Sequence, residues 1–267
     1  MKSITPLFDL NGRTALVAGA CGKIGRAICH ALADQGAAVA VSDLNEKACR
    51  ELVSELNQKA GSEAFSLQAD WTNEKSVQEA MTLIDPSAKP LHIVIHCIGL
   101  ISSVPIPGYA APFEQQTLEA WNLALTSNLT SAFLLAKATQ GRMASDGKAS
   151  VIFLSSIYGS FGPNMSLYEG TGMGNPVAYG ASKGGLQQFA RYLATQWAPL
   201  VRVNVVSPGG IERAQPDAFI RRYEKMTPLG RMAHPNDVAG PVVFLASDAA
   251  QYVTGQNLLV DGGWSAW

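Results

Sequence analysis

A glycine-rich turn between an apolar run and a helical pattern restricts the fold of this chain more than any other feature. Residues 13–18 (RTALVA) form the apolar run, the turn reads Gly-Ala-Cys-Gly-Lys-Ile-Gly over 19–25, and apolar residues then recur at helical spacing up to Gly36. Glycines let a backbone approach a pyrophosphate closely, and free N–H groups at a helix start bind anions. The pattern therefore predicts a phosphate-binding loop whose contacts to a dinucleotide come from Gly19, Gly22, Lys23, Ile24 and Gly25.

A carboxylate follows the second apolar run, which covers residues 37–42, and lies about 20 residues beyond the glycines. This residue, Asp43, is positioned to accept hydrogen bonds from a ribose 2′-hydroxyl and to repel a 2′-phosphate. Lys23 has the opposite preference, because a cation near the adenosine tolerates a phosphate. We expect NAD to be favoured, with NADP not excluded. The alternative is that the glycines only form a tight turn and that Asp43 caps the next helix.

Apolar runs and helical patterns continue to alternate along the whole chain. This order predicts an α/β fold, a Rossmann-type doubly wound parallel sheet with helices on both faces, as a single domain over residues 1–267. Ligands of such sheets bind beyond the carboxyl ends of the strands. Asp70 with its neighbour Trp71, and Gly99, follow predicted strands, and we expect them at the cofactor.

Tyr179 and Lys183 are four residues apart in a predicted helix and therefore lie on one face of it. A lysine ammonium beside a tyrosine favours the phenolate and lowers the pKa of the tyrosine from about 10. Such a pair is a general acid and base for the proton of an alcohol or ketone. Taken alone, the spacing is also typical of an ordinary surface pair.

Composition narrows the class of protein. Lysine and arginine number 20 against 21 aspartate and glutamate residues, without a basic block, which argues against a nucleic-acid partner. No apolar run reaches the ~20 residues of a membrane span. The four cysteines show neither disulfide nor zinc-ligand spacing. We expect a cytoplasmic protein that binds a small-molecule substrate, with no metal and no membrane partner.

Taken in order, these features resemble the short-chain dehydrogenase/reductase family from about Leu10 to Gly263. Where this family has Asn-Asn-Ala-Gly after the fourth strand, the present chain departs from it and retains only Gly99. The positions that match family motifs are Gly19, Gly22, Gly25, Asn128, Ser156, Tyr179, Lys183, Pro208, Gly209 and Gly263.

The resemblance implies an NAD(P)-dependent alcohol dehydrogenase or ketoreductase acting on CH–OH groups, with Tyr179 as acid and base. Ser156 would orient the substrate oxygen, Lys183 would bind the nicotinamide ribose, and Asn128 would hold a water that links Lys183 to solvent. Pro208, Gly209 and Ile211 would contact the nicotinamide. Alternatives remain open: Ser156 as a turn cap, Ser155 as the catalytic serine, and Asn128 as a buried group bonded to backbone.

Two segments are expected to form the substrate site, residues 157–178 and residues 210–231. Ser156 and Tyr179 are 23 residues apart, more than in many family members, and long loops without regular structure are commonly functional. Glu169 is a candidate acceptor of sugar hydroxyls, or else a solvated loop-tip carboxylate. Arg213, where the family usually has Thr, is a candidate for binding a substrate carboxylate or phosphate.

The expected substrate is a small polar molecule such as a sugar, a sugar acid or a nucleotide sugar. Arg221, Arg222, Lys225 and Arg231 would form a cationic entrance, or simply a solvated face. Alternative functions are epimerisation or dehydration through transient hydride transfer, and a non-catalytic dinucleotide-binding regulator. By resemblance, two long helical stretches imply a homodimer or homotetramer.

Overall fold

Seven parallel strands form one sheet at the centre of the part of the chain described by the computed structural model, residues 3–59, 61, 63–84, 90–100 and 106–267. Their order across the sheet is β3-β2-β1-β4-β5-β6-β7. β1, β5 and β6 are buried along their whole length, as expected for strands covered by helices on both faces. The strands are β1 Thr14–Ala18, β2 Ala38–Ser42, β3 Ala64–Ser66, β4 Leu91–His96, β5 Ala149–Leu154, β6 Val201–Pro208 and β7 Asn257–Val260.

Helices cover both faces of this sheet and create two separate apolar cores. One core contains side chains of α1, α2 and α8, and the other contains side chains of α3, α5 and α6. None of the helices in the described ranges is long and apolar enough to cross a bilayer. The helices are α1 Lys23–Asp34, α2 Glu46–Asn57, α3 Glu74–Thr82, α4 Leu118–Leu125, α5 Ser131–Thr139, α6 Val177–Trp197, α7 Asp217–Met226 and α8 Pro235–Ala246.

The strand order confirms the predicted doubly wound sheet. β1 pairs with β2 on one side and with β4 on the other, so the winding reverses next to β1. In open α/β sheets the crevice at this reversal, beyond the carboxyl ends of the strands, binds the ligand. The glycine turn after β1 and the residues after β4 meet there.

A π-helical turn, Thr126–Thr130, joins α4 to α5 and contains Asn128. Its wider hydrogen-bond pattern includes the N–H of Ser131 bonded to the carbonyl of Thr126. Single π turns inside helices are frequent at functional sites, because they change the direction of nearby side chains. Here the turn directs the Asn128 side chain into the interior between β4 and α6.

Candidate active site

The glycine turn packs so tightly that two of its glycines cannot carry a side chain. Gly19 has φ +83°, and a Cβ there would lie 2.8 Å from the Cys97 carbonyl carbon. A Cβ on Gly25 would clash with the carbonyl oxygen of Gly19. Gly22 differs, since a Cβ would meet only the Gly19 oxygen at 3.7 Å, and it precedes α1 without any side-chain cap. The first N–H groups of α1 are therefore left for another partner.

A cavity lies against this helix start, at the carboxyl ends of β1, β2 and β4; we call it the dinucleotide cavity. Asp43 lines it, and both of its carboxylate oxygens are oriented by backbone. Oδ2 accepts the N–H of Cys21 at 3.0 Å, and Oδ1 accepts the N–H of Leu44 at 2.8 Å. The carboxylate keeps lone pairs for a ribose hydroxyl. An uncapped helix start beside an oriented carboxylate fits the pyrophosphate and ribose of a dinucleotide.

Some of the other residues predicted to bind the cofactor line the dinucleotide cavity and some do not. Asp70, Trp71 and Gly99 line it, but the indole of Trp71 is buried and donates to the Ser42 hydroxyl at 2.9 Å, so it forms a wall rather than a polar ligand. Asp70 Oδ1 accepts the N–H of Thr72 at 2.9 Å. Lys23 and Ile24 are not in the lining: Lys23 is exposed, and Ile24 packs against the core.

A second cavity of about 130 Å³ lies at the ends of β5 and β6; we call it the Tyr179 cavity. Ser156 and Tyr179 both line it, and Ser156 Oγ also accepts the N–H of Tyr158 at 3.2 Å, as expected for a turn cap. The Ser155 hydroxyl instead donates to the carbonyl of Lys183 at 2.8 Å. Only Ser156 therefore meets a molecule bound beside Tyr179. Gly209 and Ile211 also line this cavity, whereas Pro208 is buried at the end of β6.

Lys183 lies behind Tyr179, and its side chain is buried. Its Nζ donates to the carbonyl of Leu154 at 2.9 Å and lies 5.8 Å from the centre of the Tyr179 ring. A Cβ on Gly99 would be 3.5 Å from this Nζ, so Lys183 reaches the edge of the dinucleotide cavity. The pKa of Lys183 is lowered to about 8, mainly by burial; Cys97 opposes this lowering and the charge of Arg213 adds to it. The ammonium is thus held near the boundary between the two cavities.

The pKa of Tyr179 differs from the prediction. Burial raises this pKa above its ordinary value, because the ionised phenol is poorly solvated. The groups that lower it are the Ser156 hydroxyl and the charge of Arg213, not Lys183. The expected lowering of this pKa by Lys183 is therefore wrong, and the lysine Nζ donates to the Leu154 carbonyl instead.

Asn128 is completely buried and both ends of its amide are used. Oδ1 accepts the N–H of Leu100 at 2.6 Å, and Nδ2 donates to the Ser182 hydroxyl at 2.9 Å. This arrangement is the alternative of a buried polar group bonded to backbone. Asn128 connects the segment after β4 to α6, the helix that carries Tyr179 and Lys183.

The two substrate candidates lie in different places. Arg213 lines the Tyr179 cavity. Glu169 is exposed and absent from the lining, so the structure does not bring it to the site.

None of the four cations predicted for the entrance lines the Tyr179 cavity, and three of them have partners. Arg222 donates to the Glu169 carbonyl at 2.6 Å, Arg231 pairs with Asp237 at 2.6 Å, and Arg221 lies 3.9 Å from Asp217. Arg222 thereby ties α7 to the segment before Tyr179.

Aromatic residues complete the Tyr179 cavity. Tyr158 and Tyr223 line it, and the Tyr223 hydroxyl accepts the N–H of Gly210 at 2.5 Å, which attaches α7 to the loop after β6. Tyr168, Phe219, Tyr223 and Trp264 pack as one cluster under the cavity. No local sequence pattern predicts this cluster, because its members come from three separate segments of the chain. Segments 157–178 and 210–231 together supply most of the wall.

Comparisons with known proteins agree with this geometry. The sequence matches a family model described as enoyl-(acyl carrier protein) reductase over residues 19–265. It is 33% identical to a tropinone reductase homolog of Arabidopsis thaliana, with 96% of this chain and 92% of the relative covered. It is 32% identical to D-threitol dehydrogenase of Mycolicibacterium smegmatis, with 97% and 95% covered. A solved gluconate 5-dehydrogenase from Burkholderia cenocepacia, in complex with NADP and tartrate, superposes with a TM-score of 0.84 at 25% identity over 98% of each chain.

Proposed function

The chain belongs to the short-chain dehydrogenase/reductase family and is an NAD(P)-dependent oxidoreductase acting on CH–OH groups, and we propose that its substrate is a polyol, a sugar or a sugar acid. The observation that carries the proposal is the single cavity that Ser156, Tyr179 and Arg213 line together. A cavity with several polar groups suits a substrate with several oxygens. Relatives named for D-threitol and gluconate support this class.

Tyr179 exchanges the proton of the reacting hydroxyl in the proposed mechanism. When bound, the nicotinamide supplies or accepts a hydride at its C4. Ser156 donates a hydrogen bond to the reacting oxygen and holds it beside Tyr179, which provides orientation and stabilises developing charge. Lys183 binds the nicotinamide ribose, with Pro208, Gly209 and Ile211 at the nicotinamide. Asn128 holds the segment after β4 against α6, and the water link to solvent remains part of the proposal.

The environment of Tyr179 determines which protonation state of its phenol is favoured. Burial keeps the phenol protonated, which suits donation to a ketone. For oxidation of an alcohol the phenol must release its proton, and Arg213 and Ser156 both favour that ionised form. Arg213 thereby has two proposed roles, as the charge that supports the phenolate and as the binding group for a substrate carboxylate.

NAD is the proposed preferred cofactor. Asp43 supports this choice, because its carboxylate is oriented at the dinucleotide cavity and would repel a 2′-phosphate. Lys23 does not line the cavity, which weakens the argument for NADP. Gly19, Gly22 and Gly25 shape the proposed pyrophosphate site, and Asp70 and Gly99 border the adenosine.

A homodimer or homotetramer in the cytoplasm is the proposed state. Large apolar side chains are exposed on three helices, Leu123 on α4, Phe133 on α5 and Tyr192 on α6, and these would be covered by a second subunit. The cysteine spacing supports a reducing compartment. Size-exclusion chromatography with light scattering would test the assembly, and a monomer would contradict it.

The substrate class is tested by nicotinamide absorbance at fixed NAD with D-threitol, D-sorbitol and D-gluconate. We expect turnover of at least one of them, and no turnover of any would contradict the class. Arg213→Ala should raise KM for gluconate about 10-fold or more, as expected for loss of a charged hydrogen bond, and change KM for the neutral polyols far less. Arg221→Ala, on the exposed face of α7, is the matched control. Equal effects on neutral and anionic substrates would exclude carboxylate binding by Arg213.

A further inference from the structure

Three side chains on one wall of the Tyr179 cavity form a continuous hydrogen-bonded row. The amide Nδ2 of Asn175 lies 3.0 Å from the Tyr168 hydroxyl, which in turn lies 3.0 Å from the Tyr158 hydroxyl. All three residues line the cavity together with Ser156 and Tyr179. We call this row the Asn175–Tyr158 chain.

The amide nitrogen of Asn175, the first member, determines the direction of the hydrogen bonds in the Asn175–Tyr158 chain. An amide nitrogen only donates, so the Tyr168 oxygen accepts from Asn175. The Tyr168 hydroxyl hydrogen then points to the Tyr158 oxygen, in the direction Tyr168 to Tyr158. Tyr158 is left with an O–H donor, and none of the described residues accepts from it. A donor without a partner among the described residues therefore lies at the end of this row, in the cavity that Ser156 and Tyr179 also line.

Packing holds this donor in place. The Tyr158 ring meets the Trp264 ring edge to face, with centroids 6.3 Å apart and planes at 84°. Burial raises the pKa of Tyr158 far above its ordinary value, as do the neighbouring Tyr168, Tyr223 and Tyr179 phenols. Tyr158 therefore keeps its proton at every pH at which an enzyme of this kind works. It is a fixed donor and not a second acid or base.

We propose that Tyr158 is a specificity-determining residue that donates a hydrogen bond to a second oxygen of the substrate, distinct from the oxygen that reacts at Ser156 and Tyr179. Tyr168 and Asn175 are positioning residues that aim this donor. The acceptor is a hydroxyl or carboxylate oxygen near the reacting carbon, so the site selects polyhydroxylated substrates over simple alcohols. This inference rests on the proposed polyol and sugar-acid class, which it makes more specific.

The first test is Tyr158→Phe, which keeps the ring and its contact with Trp264 and removes only the hydroxyl. For the panel substrate that the wild type oxidises best, kcat/KM should fall about 3- to 10-fold, the usual effect of one neutral hydrogen bond. NADH binding should be unchanged. Tyr252→Phe makes the same chemical change at a fully exposed position and should leave kcat/KM unaltered.

Monodeoxy analogues of that substrate separate a contact from a structural effect. The wild type should lose about 3- to 10-fold in kcat/KM on the analogue that lacks the second oxygen. Tyr158→Phe should show no additional loss on this analogue, because the partner is already missing. An equal further loss in the variant would mean that Tyr158 acts through packing and would overturn the proposal.

Asn175→Asp tests the direction of the hydrogen bonds in the Asn175–Tyr158 chain. A carboxylate only accepts, so Tyr168 must donate to Asp and Tyr158 must donate to Tyr168, which removes the free donor. The loss should match that of Tyr158→Phe, and the double variant should lose no more than either one. Unchanged kcat/KM in Tyr158→Phe with normal wild-type turnover would overturn the inference alone. Wild-type inactivity on every polyol, sugar and sugar acid would overturn the substrate class and the inference with it.

Discussion

Replacing Asp43 by asparagine should change the cofactor preference more than any other single substitution in the dinucleotide cavity. The carboxylate is oriented by the N–H groups of Cys21 and Leu44, and it faces the cavity with lone pairs to spare. Hydrogen bonds to charged groups contribute about 1.5–3 kcal/mol, so NADH binding should weaken about 10- to 100-fold. For NADPH the same substitution removes a repulsion of about 3 kcal/mol per unit charge, for charges ~5 Å apart at an effective dielectric constant of ~20. NADPH binding should therefore tighten.

The assay is titration calorimetry of both reduced cofactors with wild type and variant. Asp70→Asn is the matched control, since this second carboxylate borders the same cavity but its Oδ1 accepts from Thr72. Asp70→Asn should change the affinities for NADH and NADPH by the same factor, because both cofactors contain the adenosine. An Asp43→Asn protein whose NADH-to-NADPH ratio stays within about 2-fold of wild type would refute the reasoning. Lys23→Ala would then be the next variant to measure.

Three further predictions follow from packing and charge. Gly25→Ala should lower the melting temperature and abolish cofactor binding, because its Cβ clashes with the Gly19 oxygen, whereas Gly141→Ala, with open space around it, should alter neither. Arg213→Ala should shift the pH profile of alcohol oxidation to higher pH, since Arg213 lowers the pKa of Tyr179, and an unshifted profile would contradict this. Under reducing conditions, the free energy of unfolding should fall as pH rises above about 9, because the Cys29 thiol ionises there in the unfolded chain while burial keeps it protonated in the folded protein. Denaturant titrations at several pH values should show a weaker fall for Cys29→Ala.

Features that depend on neighbouring residues could be predicted from the sequence. The glycine turn is one, since only glycine tolerates φ +83° at position 19 together with the close approach of Cys97. The helical spacing of Tyr179 and Lys183 is another. The alternation of strands and helices sufficed for the doubly wound sheet, because a parallel crossover needs a helix on one face.

Features that depend on distant segments could not be predicted. Whether Lys183 lowers the pKa of Tyr179 depends on the Leu154 carbonyl, which holds its ammonium. The two partners of Asn128 come from the end of β4 and from α6.

The exposed position of the Glu169 side chain also could not be predicted from the sequence. A loop rich in glycine, asparagine and proline has no periodic pattern that would indicate which of its residues face the cavity. Arg222, on α7, holds the carbonyl of Glu169, while the side chain of Glu169 is exposed.

His96 is the first residue of the stretch in which this chain departs from the Asn-Asn-Ala-Gly of the family, and its environment also depends on distant segments. Its Nε2 is 2.8 Å from the Ser131 hydroxyl, and burial together with the charge of Lys183 lowers the pKa of His96 to about 3. His96 is therefore a neutral core residue, as a lone histidine at the end of an apolar strand suggests.

The central claim is that Tyr179 exchanges the proton during hydride transfer, and its most direct test is the rate of NADH formation by Tyr179→Phe under single-turnover conditions. Tyr252→Phe, at a fully exposed position, is the control. We predict at least about a 100-fold loss of rate, the usual contribution of a positioned acid or base, with NADH affinity close to wild type. A Tyr179→Phe protein that forms NADH at a rate within about 3-fold of wild type would contradict the account.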